Sequence, residues 1–457
     1  MKKVISVVLA ITMLFTFMTT GFAGHKENAK LQFNSNGKFK ILCLADVQDD
    51  YPMEPAVLQF IKEALDFANP DLVVFVGDNV VGEDLRAIDE MIAPLDERDI
   101  PFTFVFGNHD DEGGMVKEDQ LAAYQKYNEC MAFDADPALS GCATHNVPIL
   151  SSDGSKVAFN VWCFDSGGSV RDENGTWLGY DHVHADQIEW YNTTREELKA
   201  ENGGEVVPAM AFQHIIPQEP CEMIYYEGAI ALGEATINFS DGTVYTPIPD
   251  ITKYDGVIFE KSCPSYGNDG QWDAMVEGGD VLGLVVGHDH VNNFVAHCGT
   301  IDLIQTPGCT YNSYYNNMFQ GARVIELNEA DLTTYETYNL TSNELAQRDG
   351  SQLGDMGGRN NYDFFFTIEK LFSVIYNFFV DFFVAMFFEE FNGHSVLHCK
   401  HSECFFHILL INGKVFEFCN FFNNSLCKET LGCFFADLFP DLFFGGAAEL
   451  AIHIKVK

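Results

Sequence analysis

The chain has 457 residues, of which 47% are hydrophobic and 20% are charged, and its formal net charge at pH 7 is -41. Nucleic-acid duplexes and anionic membrane surfaces are bound by basic protein faces, which a chain with a pI near 4.4 does not offer. We therefore expect neither a nucleic-acid duplex nor a stable membrane partner for the main body of this protein.

The amino-terminal segment has the pattern of a cleavable export signal. Lys2 and Lys3 precede an apolar run over residues 4–17, and small residues follow over 19–24. The apolar run is shorter than the span of about 20 residues that a membrane helix needs, which favours a signal peptide over an uncleaved anchor. The pattern predicts a signal peptide over residues 1–23, cleaved after Ala23, and a secreted or extracytoplasmic protein.

Five short polar clusters each follow an apolar run along the chain. They are Ala45-Asp46-Val47-Gln48, Gly77-Asp78-Asn79, Gly107-Asn108-His109-Asp110, Phe212-Gln213-His214 and Gly287-His288-Asp289-His290. Short β-branched and aromatic runs that stop at such polar residues are typical of buried strands ending at a turn. Because sites on α/β sheets form where strands end, we expect these side chains to meet at one sheet edge. A mixture of oxygen and imidazole donors suits divalent metal ions.

Between the clusters, strand-like and helix-like segments alternate. Apolar residues recur at helical spacing over residues 54–68, 83–97, 118–130 and 186–200, and further strand-like runs lie at 157–164, 257–259, 281–286, 301–305 and 322–327. This alternation predicts an α/β protein with helices packed on the faces of its sheets.

The polar clusters resemble the signature of the calcineurin-like metallophosphoesterase superfamily, which is D-x-H, G-D-x, G-N-H-D/E, a lone His and G-H-x-H. Four of the five elements are unaltered here and stand in the family's order, within roughly residues 38–327. The stretches 287–294 and 320–327 look closest to the purple-acid-phosphatase-like branch. The resemblance implies a two-sheet β-sandwich flanked by helices, in a domain over residues 38–338.

The resemblance also implies a dinuclear centre that binds two divalent metal ions, Mn, Fe or Zn. Asp78 would bridge the ions, and the first ion would also be bound by Asp46, Gln48 and His290. The second ion would be bound by three further residues, which are Asn108, His214 and His288.

The same likeness assigns catalytic roles to two residues beside the ligands. His109 would act as a general acid or stabilise charge on the leaving oxygen, and Asp110 would orient the imidazole of His109. The implied activity is hydrolysis of a small phosphate ester by attack of a metal-bridging hydroxide.

Two departures from the family pattern qualify these roles. Gln48 stands where the family usually has His, and its amide oxygen suits a harder ion such as Mn²⁺ better than Zn²⁺. Asn79, Val80 and Val81 follow Asp78, so the Tyr that binds ferric iron in purple acid phosphatases is missing. Two alternatives to a broad phosphatase therefore stay open. One is a phosphodiesterase acting on nucleotides or phospholipid headgroups, and the other is a catalytically silent metal-binding module.

The remaining polar residues suggest more ordinary roles. His145, His182, His184 and His297 lie in no motif, and we interpret them as surface or packing residues. The run at 311–317 is rich in Tyr and Asn and can form either a wall of the substrate site or a polar loop. The insertion at 219–250 is interpreted as a lid or as ordinary surface.

The carboxyl-terminal part of the chain differs in composition from the rest. Residues 339–361 are polar and Gly-rich and predict a linker. Over 362–457, Phe doublets abound, and three explanations compete: a membrane helix over 371–388, a small Cys-containing accessory domain, or a mistranslated reading, for which we expect no recognisable fold. The 13 cysteines allow disulfides, with Cys130–Cys142 and Cys298–Cys309 as conceivable pairs, whereas free buried thiols at Cys43 and Cys163 are the more conservative interpretation.

Overall fold

The computed structural model describes residues 31–225, 250, 252–316 and 319–353, and the backbone of residues 397–401, 404–411 and 414–419. The chain divides into two units after Asn377. The predicted signal peptide, most of the insertion at 219–250 and the segment 371–388 lie outside the described residues.

The described part of the first unit contains helices that flank or connect its strands. They are α1 (Pro55–Ala68), α2 (Arg86–Asp96), α3 (Lys117–Tyr124), α4 (Ala185–Glu201), α5 (Gln218–Met223), α6 (Gln271–Gly278) and α7 (Ser342–Ala346). α1 begins with Pro55, whose fixed φ suits a first helical position, and it ends before Asn69, which is left-handed with φ 45°. Three of the four predicted helices coincide with α1, α2 and α4.

The third predicted helix, over 118–130, is too long. α3 ends at Tyr124 because the following residues pair with strand backbone instead of continuing the helix. The amide of Phe102 donates to the carbonyl of Glu129 at 2.9 Å, and the amide of Met131 donates to the carbonyl of Phe102 at 2.7 Å. Hydrogen bonds to a strand distant in sequence therefore determine the backbone near residues 129–131, although the apolar pattern predicted a helix over 125–130.

The strands of the first unit form two large sheets and a two-stranded ribbon. The strands are β1 (Lys38–Leu44), β2 (Leu72–Val76), β3 (Phe102–Val105), β4 (His145–Leu150), β5 (Val157–Cys163), β6 (Ser169–Arg171), β7 (Trp177–Tyr180), β8 (Ala209–Phe212), β9 (Tyr254–Val257), β10 (Val281–Val286), β11 (Asn293–Cys298), β12 (Ile301–Gln305), β13 (Gly321–Asn328) and β14 (Asp331–Thr341). One sheet has the order β14-β13-β1-β2-β3, the other has the order β4-β5-β8-β10-β12-β11-β9, and β6 pairs with β7. β1, β2 and β3 are parallel, and so are β5, β8, β10 and β12.

The two sheets pack face to face, with helices on both outer faces. On β1, Ile41 and Cys43 point into the core between the sheets, whereas Leu42 and Leu44 point into the core shared with α1, α2 and α3. This alternation follows from the two-residue period of a strand. The second sheet packs its outer face on α4 and α6. The first unit is therefore a two-sheet β-sandwich flanked by helices, as the sequence predicted.

The structured part of the first unit extends beyond the predicted boundary at residue 338. β14 continues to Thr341, and α7 follows directly, with Leu345 buried in the core on the α1 side. Ser351 Oγ donates to Glu63 Oε2 of α1 at 2.6 Å. Residues 339–353 therefore pack on the domain instead of forming a free linker.

The described backbone of the second unit forms one antiparallel sheet. Its strands are β15 (Leu397–His401), β16 (Cys404–Ile411) and β17 (Lys414–Cys419), in that order. Regular structure is therefore present over these residues, where none was expected.

The structure also bears on the predicted alternatives of a membrane helix and of disulfide bonds. In the part of the chain that the structure describes, no helix combines the length and the apolar character needed to cross a membrane. The eight cysteines whose side chains are described are all free thiols, including both conceivable pairs, and seven of them are buried.

Candidate metal centre

The predicted ligands all lie directly after parallel strands of the two sheets. Asp46 and Gln48 follow β1, Asp78 follows β2 and Asn108 follows β3. In the other sheet His214 follows β8, and His288 and His290 follow β10. Because carboxyl ends of parallel strands share one edge of a sheet, the packed sheets bring all seven side chains to one place.

The side chains converge into two groups that share Asp78. One group contains Asp78, His214 and His288, and the other contains Asp46, Asp78 and His290; within each group the ligand atoms lie within 4.8 Å of one another. His214 Nε2 lies 3.2 Å from Asp78 Oδ2, and His290 Nε2 lies 3.4 Å from Asp46 Oδ1. A carboxylate common to both groups can bind two cations through its two oxygens.

Five buried side-chain atoms of the predicted ligands make no hydrogen bond within the protein. They are Gln48 Oε1, Asp78 Oδ2, Asn108 Oδ1, His214 Nε2 and His288 Nε2. Buried polar atoms without partners are rare in folded proteins because each one carries a desolvation penalty of about 1–3 kcal/mol. These atoms therefore form a donor set of the type that binds divalent metal ions, and Gln48 belongs to it although it replaces a His.

The backbone at four of these ligands is in the left-handed region. The φ angles are 52° at Asp46, 45° at Gln48, 49° at Asp78 and 75° at His288. Residues with a Cβ seldom adopt positive φ, and this conformation persists only where surrounding structure enforces it. Here it turns each side chain back toward the common centre after its strand ends.

Two glycines of the polar clusters leave space for the ligands. A Cβ on Gly77 would lie 2.4 Å from His214 Nδ1, and a Cβ on Gly107 would lie 2.2 Å from Asp78 Oδ1. These distances are far below van der Waals contact, so only glycine fits at either position. The Gly of G-D and the Gly of G-N-H-D therefore allow the loops that carry the candidate ligands to pack closely against one another.

Backbone carbonyls orient two of the imidazoles. Val76 O lies 2.9 Å from His214 Nδ1, and Tyr314 O lies 2.8 Å from His290 Nδ1. Such a bond places the proton on Nδ1 and leaves Nε2 free to bind a metal ion. In many metal sites the ring nitrogen that does not bind the metal is hydrogen-bonded in this way. In both residues Nε2 is the atom that faces the carboxylates.

Two tyrosines flank the histidines of the last cluster. The ring of Tyr314 stacks on His290 with centroids 4.1 Å apart, and Tyr180 meets the ring of His288 edge to face at 4.2 Å. Tyr314 belongs to the run at 311–317, so this run contacts the candidate centre. Tyr180 had no signal in the sequence, because the strand β7 that carries it is distant from every polar cluster.

Burial and mutual charge shift the protonation of the ligands. Burial raises the pKa of Asp46 well above its usual value, whereas at Asp78 the neighbouring His214 overcomes the effect of burial and lowers the pKa. Asp78 likewise raises the pKa of His214 to about 10, against the effect of burial. Burial lowers the pKa of His290 to about 4, so this imidazole is in its neutral, metal-binding form. A cation at the centre would replace the positive charge that His214 supplies here.

Asp110 does not orient His109, contrary to the prediction. Its buried carboxylate accepts hydrogen bonds from the backbone amides of Gly107 at 2.6 Å, Asn79 at 2.8 Å and Val80 at 3.2 Å. Burial, followed by the charge of Asp78, raises the pKa of this carboxyl to about 7. Asp110 therefore ties the loop after β2 to the loop after β3, and its position in the centre is structural.

The partner of His109 is Glu112, which the sequence analysis missed. Glu112 Oε2 is hydrogen-bonded to His109 Nδ1, and the backbone amide of His109 donates to Asp78 Oδ1 at 2.8 Å. The His109 side chain is 36% exposed, unlike the buried ligands around it. A carboxylate three residues after the His was the available signal, and the adjacent Asp110 concealed it.

The histidines outside the motifs differ in their surroundings. His145 is buried and contacts Thr103 Oγ1 at 2.6 Å and Ala143 O at 2.6 Å, which is a packing role as predicted. His297 is exposed and pairs with Asp302. His182 and His184 instead lie together with two carboxylates.

The chain is similar to several known proteins. The chain is 28% identical over 369 residues to "Probable inactive purple acid phosphatase 14" of Arabidopsis thaliana, which covers 72% of this chain and 85% of that protein. It is 28% identical over 213 residues to "Phosphatase DCR2" of Saccharomyces cerevisiae, over 41% of this chain and 36% of that one. A dimetal phosphatase from Danio rerio aligns in structure with a TM-score of 0.39 and 14% identity, over 66% of this chain and 98% of that chain.

A family model also matches the chain directly. The model of calcineurin-like phosphoesterases matches residues 39–292, which contain every strand end that carries a candidate ligand. The chain belongs to the calcineurin-like phosphoesterase family.

Proposed function

We propose that this protein is a metal-dependent phosphoric ester hydrolase with a dinuclear centre. The observation that carries the proposal is the set of five buried polar atoms without hydrogen bonds, three of which, on Asp78, His214 and His288, belong to one group of clustered ligands. A structural core would not leave five such atoms unpaired, since each would carry an uncompensated desolvation penalty.

The residues divide between two ions in the way the family likeness implies. Asp46, Gln48 and His290 would bind one ion, Asn108, His214 and His288 would bind the other, and Asp78 would bind both. Two bound divalent ions supply Lewis-acid polarisation of a phosphoryl oxygen and an activated water. The carbonyls of Val76 and Tyr314 hold the imidazoles so that they present Nε2, and the left-handed backbone holds the carboxylates in place.

The proton of the leaving group is assigned to His109. Its Nδ1 is bound by Glu112, so Nε2 is the nitrogen that remains for transfer to a leaving oxygen. Its partial exposure suits contact with a substrate that enters from solvent. Glu112 orients the imidazole of His109, as a carboxylate does beside many functional histidines.

A catalytically silent metal-binding module is the second candidate. Gln48 in place of His and the word "inactive" in the name of the Arabidopsis relative favour it. Against it stands the pair formed by His109 and Glu112, because metal binding alone needs no proton donor at the exposed rim of the centre. Phosphate diesters are the alternative substrate class, and export through the signal peptide at 1–23 is part of the proposal.

The test is a metal count combined with an ester assay on the full chain without its signal peptide. We expect about two ions per chain at the centre and turnover of an aryl phosphate monoester or diester with Mn²⁺, Fe²⁺ or Zn²⁺. Asp78→Asn should lose both ions and turnover, and His109→Ala should keep the ions while turnover falls about 10²–10⁴-fold.

His297→Ala is the matched control for His109→Ala, because His297 is also an exposed imidazole paired with a carboxylate. It should change neither quantity. Retained ions with no turnover under any of the three metals would establish the silent module instead. Full activity of Asp78→Asn would exclude the dinuclear centre.

A further inference from the structure

A second cluster of histidines and carboxylates lies apart from the candidate centre. Asp181, His182 and His184 occupy the turn between β7 and α4, and Asp269 lies just before α6. Potential ligand atoms of the first three lie within 4.8 Å of one another. The rings of His182 and His184 are 4.4 Å apart. These residues belong to no motif of the family pattern.

The two carboxylates contact opposite edges of the two imidazoles. Asp181 Oδ1 lies 3.1 Å from His182 Nδ1 and 3.2 Å from His184 Nε2. Asp269 Oδ2 lies 3.5 Å from His182 Nε2 and 4.0 Å from His184 Nδ1. Each ring therefore directs one nitrogen toward Asp181 and the other toward Asp269.

We propose that Asp181, His182 and His184 form a mononuclear site for a divalent transition-metal ion such as Zn²⁺, with Asp269 as the carboxylate that orients both imidazoles. The ligand atoms are Asp181 Oδ1, His182 Nδ1 and His184 Nε2. In a tetrahedral site with bonds of about 2.0–2.1 Å, neighbouring ligand atoms lie about 3.3–3.4 Å apart. The observed separations of 3.1 and 3.2 Å are close to that value.

Hydrogen bonding favours a metal site over a pair of simple ion pairs. His182 Nδ1 is buried and makes no hydrogen bond, despite its approach to Asp181. Asp181 Oδ1 already accepts the backbone amide of His182 at 2.9 Å. A ring nitrogen that lies close to a carboxylate oxygen without a hydrogen bond between them can bind the same metal ion as that oxygen.

Asp269 fits the role of an orienting residue. A metal-binding His commonly donates its other ring N–H to a carboxylate, which fixes its tautomer and its orientation. Asp269 Oδ2 faces that second nitrogen in both rings and is itself held by the backbone amide of Ala185 at 2.9 Å. One carboxylate thus serves two ligands.

The remaining coordination positions open toward solvent. Asp181 and His184 line a cleft of about 410 Å³ that also contains Lys117 and Asp165. An ion with three protein ligands keeps at least one position for water or for an anion. The cleft gives such a ligand access, so the site is of the open type.

The experiment separates this site from the candidate centre. The background variant Asp46→Asn/Asp78→Asn removes the carboxylates of the centre and is loaded with Zn²⁺, desalted and measured by elemental analysis. We expect one ion per chain, and none after His182→Gln and His184→Gln are added. His297→Gln is the matched control and should leave the single ion in place.

Two further measurements keep the test decisive. In the otherwise native chain, His182→Gln/His184→Gln should lower the ion count by one, which covers the case of a background variant that does not fold. Asp269→Asn should weaken Zn²⁺ binding about 10–100-fold without removing a ligand. A folded background variant that binds no ion, or one that keeps its ion after both His substitutions, would overturn the proposal whether or not the chain hydrolyses esters. So would an unchanged ion count after His182→Gln/His184→Gln in the otherwise native chain.

Discussion

His109 differs from the other histidines of the centre because it is partly exposed and because a carboxylate holds it instead of a backbone carbonyl. His214 and His290 are buried, and carbonyl oxygens fix their Nδ1 atoms. At His214 and His290 the carbonyl accepts from Nδ1, which leaves Nε2 toward the centre, whereas at His109 Nδ1 is bound by Glu112 and the ring is open to solvent. These contacts distinguish the candidate ligands from the candidate proton donor.

Glu112→Gln tests this assignment. Glu112 holds the ring of His109 through Nδ1, so without this carboxylate the imidazole is no longer fixed in position. We therefore expect kcat to fall about 10–100-fold while the ion count stays unchanged. Steady-state rates and elemental analysis measure these two quantities. Glu205→Gln, at an exposed surface position, should leave both unchanged, and a native kcat for Glu112→Gln would refute the role.

At the scale of residues, the positions of the candidate ligands could be predicted from the sequence more easily than the partners of the neighbouring side chains. Each ligand follows an apolar run, so its place at a strand end could be recognised from periodicity alone. The partner of His109 depends on how the loop after β3 closes, and Asp110 turned inward because three backbone amides needed an acceptor. These hydrogen bonds join loops that are distant in sequence, so local sequence patterns do not predict them.

Among the elements, the loops after β2 and β3 approach each other closely at Gly107. Gly107→Ala would place a Cβ 2.4 Å from the backbone nitrogen of Asp78, so one loop must move. We expect loss of metal binding and a decrease of about 1–3 kcal/mol in the free energy of unfolding. Gly168→Ala is the control, since its nearest neighbours, atoms of Asn108, are 4.0 Å away. Equal metal content in the two variants would contradict this account.

A buried ion pair fastens α3 to the loop after β5. Lys117 Nζ lies 3.0 Å from both carboxylate oxygens of Asp165, whose side chain is fully buried. Lys117→Met leaves that charge unpaired, so we expect the free energy of unfolding in urea to fall by about 3–5 kcal/mol. Adding Asp165→Asn should recover part of the loss.

The matched control for this pair is exposed. Lys199 approaches Glu196 at 3.6 Å, with both side chains substantially open to solvent. Lys199→Met should change the free energy of unfolding by less than about 1 kcal/mol. Equal effects at Lys117 and Lys199 would mean that burial does not strengthen the interaction with Asp165.

At the scale of the whole molecule, the formal net charge of -41 at pH 7 is expected to lower the stability of the folded state. Mutual repulsion among the carboxylates destabilises the compact state, and salt screens this repulsion. In buffer without divalent ions, we expect Tm to rise as NaCl increases from 10 to 300 mM. The rise should be smaller at pH 5, nearer the pI of about 4.4. A Tm that falls with salt at pH 7 would show that favourable ion pairs dominate instead.

The architecture was predictable only in part. Alternating strand and helix patterns indicated helices on sheet faces, and the family likeness added a second sheet. The order of the strands was not readable, because β13 pairs with β1 across nearly the whole domain in sequence. The predicted domain boundary at residue 338 was wrong because β14 pairs with β13 and continues beyond that residue. β14 is a polar, half-exposed edge strand, and its composition resembles that of a linker.

The left-handed backbone at Asp46, Gln48, Asp78 and His288 bears on how the sequence can change over generations. Each such residue costs about 1–3 kcal/mol, and domains are stable by only about 5–15 kcal/mol. Glycine at any of the four positions would relieve that cost. A lineage that no longer needed the centre would therefore gain stability by replacing these residues, and mutational drift would remove them early. The presence of all four residues in this chain is therefore what the proposed metal centre predicts.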